Sequence, residues 1–187
     1  MRPSVAVVHD LVSGVEPADE LEAQHRLETL RWLESTDDVF RRVKPATPPR
    51  HLVSYVVPID RTDGSLLLVD HINAGLWLPP GGHVEPDEHP AQTARREAEE
   101  ELGITTDSAF EERPTFLTVT RTVGMDAGHT DVSLWFLVYS DRQQPLRIDH
   151  SEFREARWWS LAEVQATDGS RFDPHFTRFL AKLRDWV

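Results

Sequence analysis

The amino-acid sequence predicts an α/β protein in which a mixed β-sheet packs between helices. Three observations support this fold class: a helical pattern before residue 44, two strand-rich regions separated by one well-bounded helix, and an amphipathic segment at the C-terminal end. Elements in this order bury their apolar faces most readily when helices cover both faces of a sheet.

Composition limits the chemistry that the chain can perform. Its 187 residues are a usual length for one domain and suffice for a hydrophobic core. The chain has no cysteine, which excludes disulfides, thiolate metal sites and cysteine nucleophiles. A net charge of −12 predicts no general attraction to nucleic acid polymers or anionic membranes. The N-terminal stretch lacks an uninterrupted apolar run, so we expect a cytoplasmic protein.

The first predicted element is a helical N-terminal extension at residues 1–43. After a start signal at residues 16–19, one stripe is predicted to comprise Ala23, Leu27, Leu30 and Glu34, with Leu33 beside it. Residues 44–50 contain three prolines and form a predicted linker, because proline fixes φ and removes amide donors. The main domain then spans residues 51–187. We interpret the extension as structural packing; a cover over the cleft and a homodimer contact remain alternatives.

Strand signals lie on both sides of the central helix. Residues 51–60 and 65–72 predict a hairpin around a turn at 61–64. Strands are also predicted at 114–123 and 131–140, joined by a turn containing Gly124, Asp126 and Gly128. A short strand at 155–159 precedes a turn capped by Ser160. Residues 173–187 predict a helix whose inner side carries Phe176, Phe179, Leu180 and Leu183.

The central helix is predicted from about Pro90 to Leu102. Residues 79–82, Pro-Pro-Gly-Gly, end the preceding strand in a loop that allows close backbone approach and lets carbonyl groups point at a ligand. Pro90 suits the first helical turn, and Gly103 stands where a left-handed C-terminal cap is expected. Both ends of the helix are therefore encoded locally.

Three glutamates of this helix, Glu97, Glu100 and Glu101, share one face because they stand at i, i+3 and i+4. Carboxylates this close repel one another unless cations compensate, and Mg²⁺ prefers oxygen ligands of this kind. The opposite face carries small apolar residues that can pack on a sheet. A run of glutamates is usually only a solvated helix face. Here the glycine loop, Glu88 and Arg96 stand at fixed offsets from the three acids, which favours metal-assisted phosphoryl chemistry instead.

The whole segment resembles the Nudix box, in which a glycine, five residues, a glutamate, seven residues and an Arg-Glu-apolar-x-Glu-Glu-x-Gly-apolar run follow one another. The matching positions are Gly82, Glu88, Arg96, Glu97, Ala98, Glu100, Glu101, Gly103 and Ile104. The resemblance implies a Nudix α/β/α sandwich with a mixed β-sheet and a Mg²⁺-dependent hydrolase, with Mn²⁺ as a substitute ion.

The resemblance also implies site roles. Glu97, Glu100 and Glu101 are expected to bind metal or activate water, and the backbone carbonyl of Gly81 is expected to be a further metal ligand. Arg96 is expected to orient the glutamates, and Glu88 to have a structural or outer-shell role. The proton acceptor is left open between Glu97 and a carboxylate from another loop, for which the candidates are Asp131, Asp141, Glu152 and Glu155.

The residues that contact the substrate are expected to lie outside the box. We name His83, Trp77, His129 and Asp131 as candidates, with Trp135 and Phe136 as further aromatic residues that could stack a base. Aromatic residues in strands more often belong to the core. The expected partner is a small nucleotide-like diphosphate. A nucleoside triphosphate pyrophosphohydrolase is favoured; a nucleotide-sugar or dinucleoside polyphosphate hydrolase and a non-catalytic nucleotide sensor are the alternatives.

Overall fold

A computed structural model describes residues 1–44, 47–105, 110–122 and 128–184. The helices within these ranges are α1 (Pro3–Ser13), α2 (Glu20–Ser35), α3 (Pro90–Leu102), α4 (Leu161–Ala166) and α5 (Phe176–Arg184). The strands are β1 (Arg50–Ile59), β2 (Leu66–His71), β3 (Leu76–Leu78), β4 (Gly81–His83), β5 (Phe116–Arg121), β6 (Thr130–Tyr139) and β7 (Phe153–Trp159). No helix of the described ranges is long and apolar enough to cross a membrane.

The described strands form one mixed sheet. Its main order is β3-β2-β1-β6-β5, while β4 pairs with β1 and β7 pairs with β2. Strands β1 and β6 run parallel, in a register that extends from Arg50 opposite Thr130 to Ile59 opposite Tyr139. The other pairings are antiparallel. The predicted α/β class with a mixed sheet between helices is confirmed.

Strand β6 shows how the sheet separates two cores. Leu134 and Phe136 point to the face that also buries side chains of α1 and α3. Trp135 points to the other face, where its ring centroid lies 5.0 Å from that of Phe179 on α5. Successive side chains of a strand alternate between faces, so one apolar strand supplies both layers of the sandwich.

The predicted hairpin at residues 51–72 closes only at its turn. Ile59 pairs with Leu66, but farther along β1 the antiparallel neighbour is β4, with Tyr55 opposite Gly81. Strand β2 instead pairs with β7 and β3. The two strands diverge beyond the turn because β4 and β7 take the places beside them, which a local turn signal cannot reveal.

The N-terminal extension contains two helices, and its predicted stripe is wrong except at Leu30 and at the neighbouring Leu33, which pack into the core. Leu27 is 49% exposed, whereas the buried positions of α2 are Glu22, His25, Thr29 and Leu33. This largely polar face lies on β5, the edge strand of the sheet. Glu22 Oε1 accepts a hydrogen bond from the Leu117 amide and His25 Nδ1 accepts one from the Val119 amide, each at 3.2 Å. Helix α2 thereby covers free amides of an edge strand.

Further contacts fasten the extension to the sandwich. Lys182 Nζ of α5 lies 2.8 Å from Glu22 Oε1 and 2.7 Å from the carbonyl oxygen of Glu16. Lys182 and Glu22 are 3% and 0% exposed, so this is a buried ion pair. Val5, Val8 and Val12 of α1 are fully buried in the core shared with α3 and the sheet. The extension therefore contributes to the main hydrophobic core.

The C-terminal predictions are largely confirmed. Strand β7 precedes α4, which begins with a capping box formed by Ser160 and Glu163. Helix α5 buries Phe176, Phe179 and Leu180. The predicted end of this helix at residues 185–187 and the predicted turn residues Gly124 and Asp126 lie outside the described residues.

Candidate active site

Helix α3 has the predicted bounds. Pro90 stands in its first turn, and the side chain of His89 caps it by accepting a hydrogen bond from the Ala91 amide at 3.1 Å. Gly103 ends the helix with φ of 69°, the left-handed conformation that glycine adopts without strain. The face toward the sheet consists of fully buried small or apolar residues, namely Ala91, Ala94, Ala98 and Leu102. Because these side chains are small or apolar, α3 packs closely on β1. Its acidic residues lie on a different face of the helix.

That acidic side of α3 faces a cavity of about 650 Å³. Glu97, Glu100 and Glu101 all line it, together with the glycines of β4. Their burial differs: Glu97 and Glu101 are 9% and 6% exposed, whereas the side chain of Glu100 is 62% exposed. The structure therefore brings the predicted acids to one cavity, with two of them in a water-poor wall.

Each of the three carboxylates accepts a hydrogen bond from a donor of the chain. Arg96 Nη1 lies 2.7 Å from Glu97 Oε1 and 3.2 Å from Glu100 Oε2. The same guanidinium donates to Glu88, whose Oε1 is 3.1 Å from Arg96 Nε. The Gly81 amide donates to Glu101 Oε2 at 3.0 Å. Arg96 thus contacts Glu97 and Glu100, two of the glutamates that it was predicted to orient. Glu88 accepts hydrogen bonds from Arg96 and so fixes its guanidinium.

The two glycines of β4, Gly81 and Gly82, have different effects on the site. At Gly81, φ is 153°, and a Cβ atom would lie 2.2 Å from the Ser54 carbonyl oxygen. At Gly82, a Cβ atom would lie 2.2 Å from Glu97 Oε1. Gly81 therefore allows β4 to pair closely with β1, and Gly82 leaves the space that the Glu97 carboxylate occupies.

The electrostatics of the buried acids fit a cation. Burial, together with the neighbouring carboxylates of Glu97 and Glu152, raises the pKa of Glu101 to about 9. Burial also raises the pKa of Glu97, against the opposing effect of Arg96. Like charges in a low-dielectric wall disfavour ionisation, and a divalent cation reverses that preference. The oxygen donors therefore suit a hard divalent ion.

The predicted substrate contacts divide into two groups. His83, His129 and Asp131 line the cavity. Trp77 does not; it is 6% exposed, and its ring centroid lies 5.0 Å from that of Trp159 in the core. The stacking suggestion for Trp77 is thus corrected by its packing. Trp135 and Phe136 are also fully buried in the core.

Sequence reasoning missed several side chains that the fold brings to this region. Tyr55, Glu152 and Asp173 line the cavity, although only Glu152 had been considered, as a general base. Burial raises the pKa of Asp173 to about 6. His51 lies fully buried behind the cavity wall, its ring centroid 4.8 Å from that of His83. No local motif marks these residues, because strand pairing alone places them here.

The carboxylate-lined cavity and the match to a family model together define the class of protein as a hydrolase. A family model described as the NUDIX domain matches residues 49–180, and the chain belongs to the Nudix family.

Individual relatives agree with this assignment. The chain is 28% identical to Nudix hydrolase 25 of Arabidopsis thaliana over 144 residues, which cover 66% of this chain and 82% of the relative. It is 43% identical over 58 residues to a MutT-like protein of Streptomyces ambofaciens, a match spanning 31% of this chain and only 38% of that protein. The solved structure of the C. elegans Ap4A hydrolase superposes with a TM-score of 0.57 at 20% identity, covering 72% of this chain and 96% of that one. At this sequence identity, the superposition shows that the two proteins share a fold.

Proposed function

We propose that this Nudix hydrolase depends on Mg²⁺ and cleaves a phosphoanhydride bond of a nucleoside triphosphate, acting as a pyrophosphohydrolase. The observation that carries the proposal is the burial of Glu97 and Glu101 together in the cavity wall beside Gly81 and Gly82. Buried like charges destabilise the fold unless a cation compensates them. Carboxyl groups with perturbed pKa values in a cleft are typical of functional sites.

In this proposal Glu97, Glu100 and Glu101 hold the divalent ion, with the Gly81 carbonyl as a further oxygen ligand. Arg96 contacts both Glu97 and Glu100 and would position their carboxylates for the ion. When bound, Mg²⁺ or its substitute Mn²⁺ supplies charge stabilisation on phosphate oxygens and promotes ionisation of water.

The remaining roles belong to residues of the cavity. Arg96 positions Glu97, and Glu152 accepts the proton of the attacking water. Glu152 is preferred among the open candidates because it lines the cavity and its charge raises the pKa of both Glu97 and Glu101. Arg41 and Lys44 also line the cavity and provide positive charge for phosphates. The N-terminal extension would then contribute to substrate binding as well as to packing.

Cavity size supports a mononucleotide. A volume of about 650 Å³ is usual for a pocket that encloses one small ligand. A nucleotide sugar and a dinucleoside polyphosphate remain alternatives. Tyr55 lines the cavity and offers an aromatic surface to a base.

A product screen tests the proposal. The protein is incubated with nucleoside triphosphates, nucleotide sugars and dinucleoside polyphosphates, with and without Mg²⁺, and products are identified by mass. We expect a nucleoside monophosphate and pyrophosphate from a triphosphate, only with the metal, and a strongly reduced rate for Glu100→Gln. Sugar phosphate release would identify the nucleotide-sugar alternative. Tight nucleotide binding without metal-dependent turnover of any substrate would overturn the proposal in favour of a sensor.

Alanine substitutions at Gly81 and Gly82 are expected to have different effects, one on stability and the other on activity. Gly82→Ala should leave folding nearly unchanged but lower kcat by about 10²-fold, because a displacement of the Glu97 carboxylate by about 1 Å is enough for such a loss. Gly81→Ala should instead lower the free energy of unfolding by about 1–3 kcal/mol, because its Cβ meets backbone atoms. Urea unfolding and steady-state kinetics measure the two effects.

Gly169→Ala is the matched control, since no atom lies within 4 Å of a Cβ built at Gly169. It should change neither property. Full activity in Gly82→Ala would show that the space beside Glu97 has no catalytic importance.

A further inference from the structure

A second group of ligand-type side chains lies at the base of the cavity, apart from the box glutamates. This histidine cluster comprises His51, His83, His129 and Asp131. One ligand atom from each residue lies within 4.8 Å of the others. Within the described ranges of the chain, it is the one group of three or more such residues whose ligand atoms converge in this way.

Strand pairing creates the cluster. His51 on β1 stands directly opposite Asp131 on the parallel strand β6. His83 on β4 pairs with Val53, two residues beyond His51 along β1. His129 immediately precedes β6. Three strands thus bring three of these side chains to one point, and His129 flanks the third strand.

The cluster is buried, and several of its polar atoms lack hydrogen bonds. His51 and His129 are 0% and 4% exposed, and the Asp131 side chain is 15% exposed. The Nε2 atoms of His51 and His83 and the Oδ1 atom of Asp131 have no hydrogen-bond partner among the described residues. A buried polar atom left without a partner costs about 1–3 kcal/mol. Three such atoms at one place indicate a ligand.

The outer nitrogen of His51 shows where that ring carries its proton. His51 Nδ1 lies 2.7 Å from the Pro48 carbonyl oxygen, which can only accept a hydrogen bond. Nδ1 therefore carries the proton, and Nε2 of the neutral ring presents a lone pair. At His129, Nδ1 lies 3.2 Å from the Thr122 hydroxyl, which orients the ring.

The Nε2 lone pair of His51 points at a carboxylate, which is unfavourable without a cation. The Nε2 atoms of His51 and His129 each lie 3.2 Å from Asp131 Oδ1. Acceptors facing one another at this distance repel. Protonating the rings would instead crowd positive charges, since the centroid of His51 is 4.8 Å from that of His83 and 4.9 Å from that of His129. A single shared cation satisfies all four groups at once.

We propose that the histidine cluster binds one transition-metal ion of the Zn²⁺ type. Imidazole nitrogen favours Zn²⁺ and related ions, whereas Mg²⁺ prefers sites built from oxygen. Three neutral imidazoles and one carboxylate match the number and type of zinc ligands, and the Nδ1 hydrogen bonds of His51 and His129 are the outer contacts that orient metal-bound histidines. This ion is additional to the Mg²⁺ of the proposed function and joins β1, β4 and β6 beneath the cavity.

The test uses the full chain without substrate. The protein is treated with a chelator, returned to buffer with excess Mg²⁺, and titrated with Zn²⁺ against a chromogenic competitor. We expect one tight equivalent of Zn²⁺ and a rise of several degrees in Tm that Mg²⁺ alone does not produce. His83→Gln and Asp131→Asn should weaken Zn²⁺ binding at least about tenfold. Co²⁺ should give the visible absorption of a nitrogen-ligated site in the native chain only.

Matched variants identify the site. Glu97→Gln and Glu100→Gln should retain the zinc equivalent, and His150→Gln, at an exposed histidine, should behave as the native chain. Circular dichroism confirms that each variant is folded, and the Co²⁺ spectrum reports on the ligands even where stability changes. Zinc binding that is lost in the glutamate variants but kept in His83→Gln and Asp131→Asn would overturn the proposal. So would the absence of a tight Zn²⁺ equivalent from the native chain in excess Mg²⁺. Neither outcome depends on hydrolysis, so this proposal and the proposed function can fail separately.

Discussion

Glu97→Gln is expected to lower kcat for Mg²⁺-dependent phosphoanhydride hydrolysis by about 10²–10³-fold while the protein stays folded. Glutamine has nearly the same shape and can still accept the hydrogen bond that Arg96 donates to Oε1 at 2.7 Å. It lacks the negative charge that would hold a divalent ion in the cavity wall. Steady-state kinetics over a range of Mg²⁺ concentrations, together with the Tm, measure the effect.

Glu99→Gln is the control for this change. Glu99 lies on the same helix but is exposed and does not line the cavity. Its substitution removes one charge from α3 and should leave kcat and the Mg²⁺ requirement unchanged. If both variants lost activity equally, the effect would come from the general charge of α3. If neither did, Glu97 would have no part in metal binding.

Lys182→Met is expected to lower the free energy of unfolding by about 3–5 kcal/mol. Lys182 Nζ contacts Glu22 Oε1 at 2.8 Å where both side chains are buried, so its removal leaves a carboxylate without its counter-charge in the core. Helix α2 should then detach more readily from β5 and α5. Urea unfolding measures the loss, and hydrogen exchange should show faster exchange of the Leu117 amide, which donates to Glu22.

A double variant shows whether charge is the cause. Glu22→Gln combined with Lys182→Met removes both charges but keeps an oxygen acceptor for the Leu117 amide, and it should recover a large part of the lost stability. Arg184→Met, at an exposed position of the same helix, should change stability by less than about 0.5 kcal/mol. A double variant as unstable as Lys182→Met would mean that packing, and not the unpaired charge, accounts for the loss.

The central helix could be predicted from sequence because its determinants are local. Pro90 and Gly103 act through their own backbone preferences, and the structure places both where the sequence predicted them. The glutamates share a face because helical spacing alone sets their positions. The burial of Glu97 and Glu101, with Glu100 left exposed, could not be predicted, because it depends on how β4 passes over the helix.

Helix α2 shows where pattern reading fails. Its apolar spacing predicted Leu27 on the inner side, yet the chain buries Glu22 and His25. Hydrophobic periodicity assumes that a helix packs against apolar side chains. Here the partner is a strand edge with free amide donors, and polar acceptors fit that surface better. The identity of the partner is a tertiary property.

By itself, the sequence determined the fold class, the bounds of α3 and the family, because spacing within a short segment carries that information. Only the tertiary structure decided that His51 and His83 meet Asp131, residues that no local pattern connects. The parallel pairing of β1 with β6 unites positions 80 residues apart, since His51 stands opposite Asp131. Side chains brought together in this way are positioned by the hydrogen-bond register of the sheet, and that register exists only once the whole sandwich has formed.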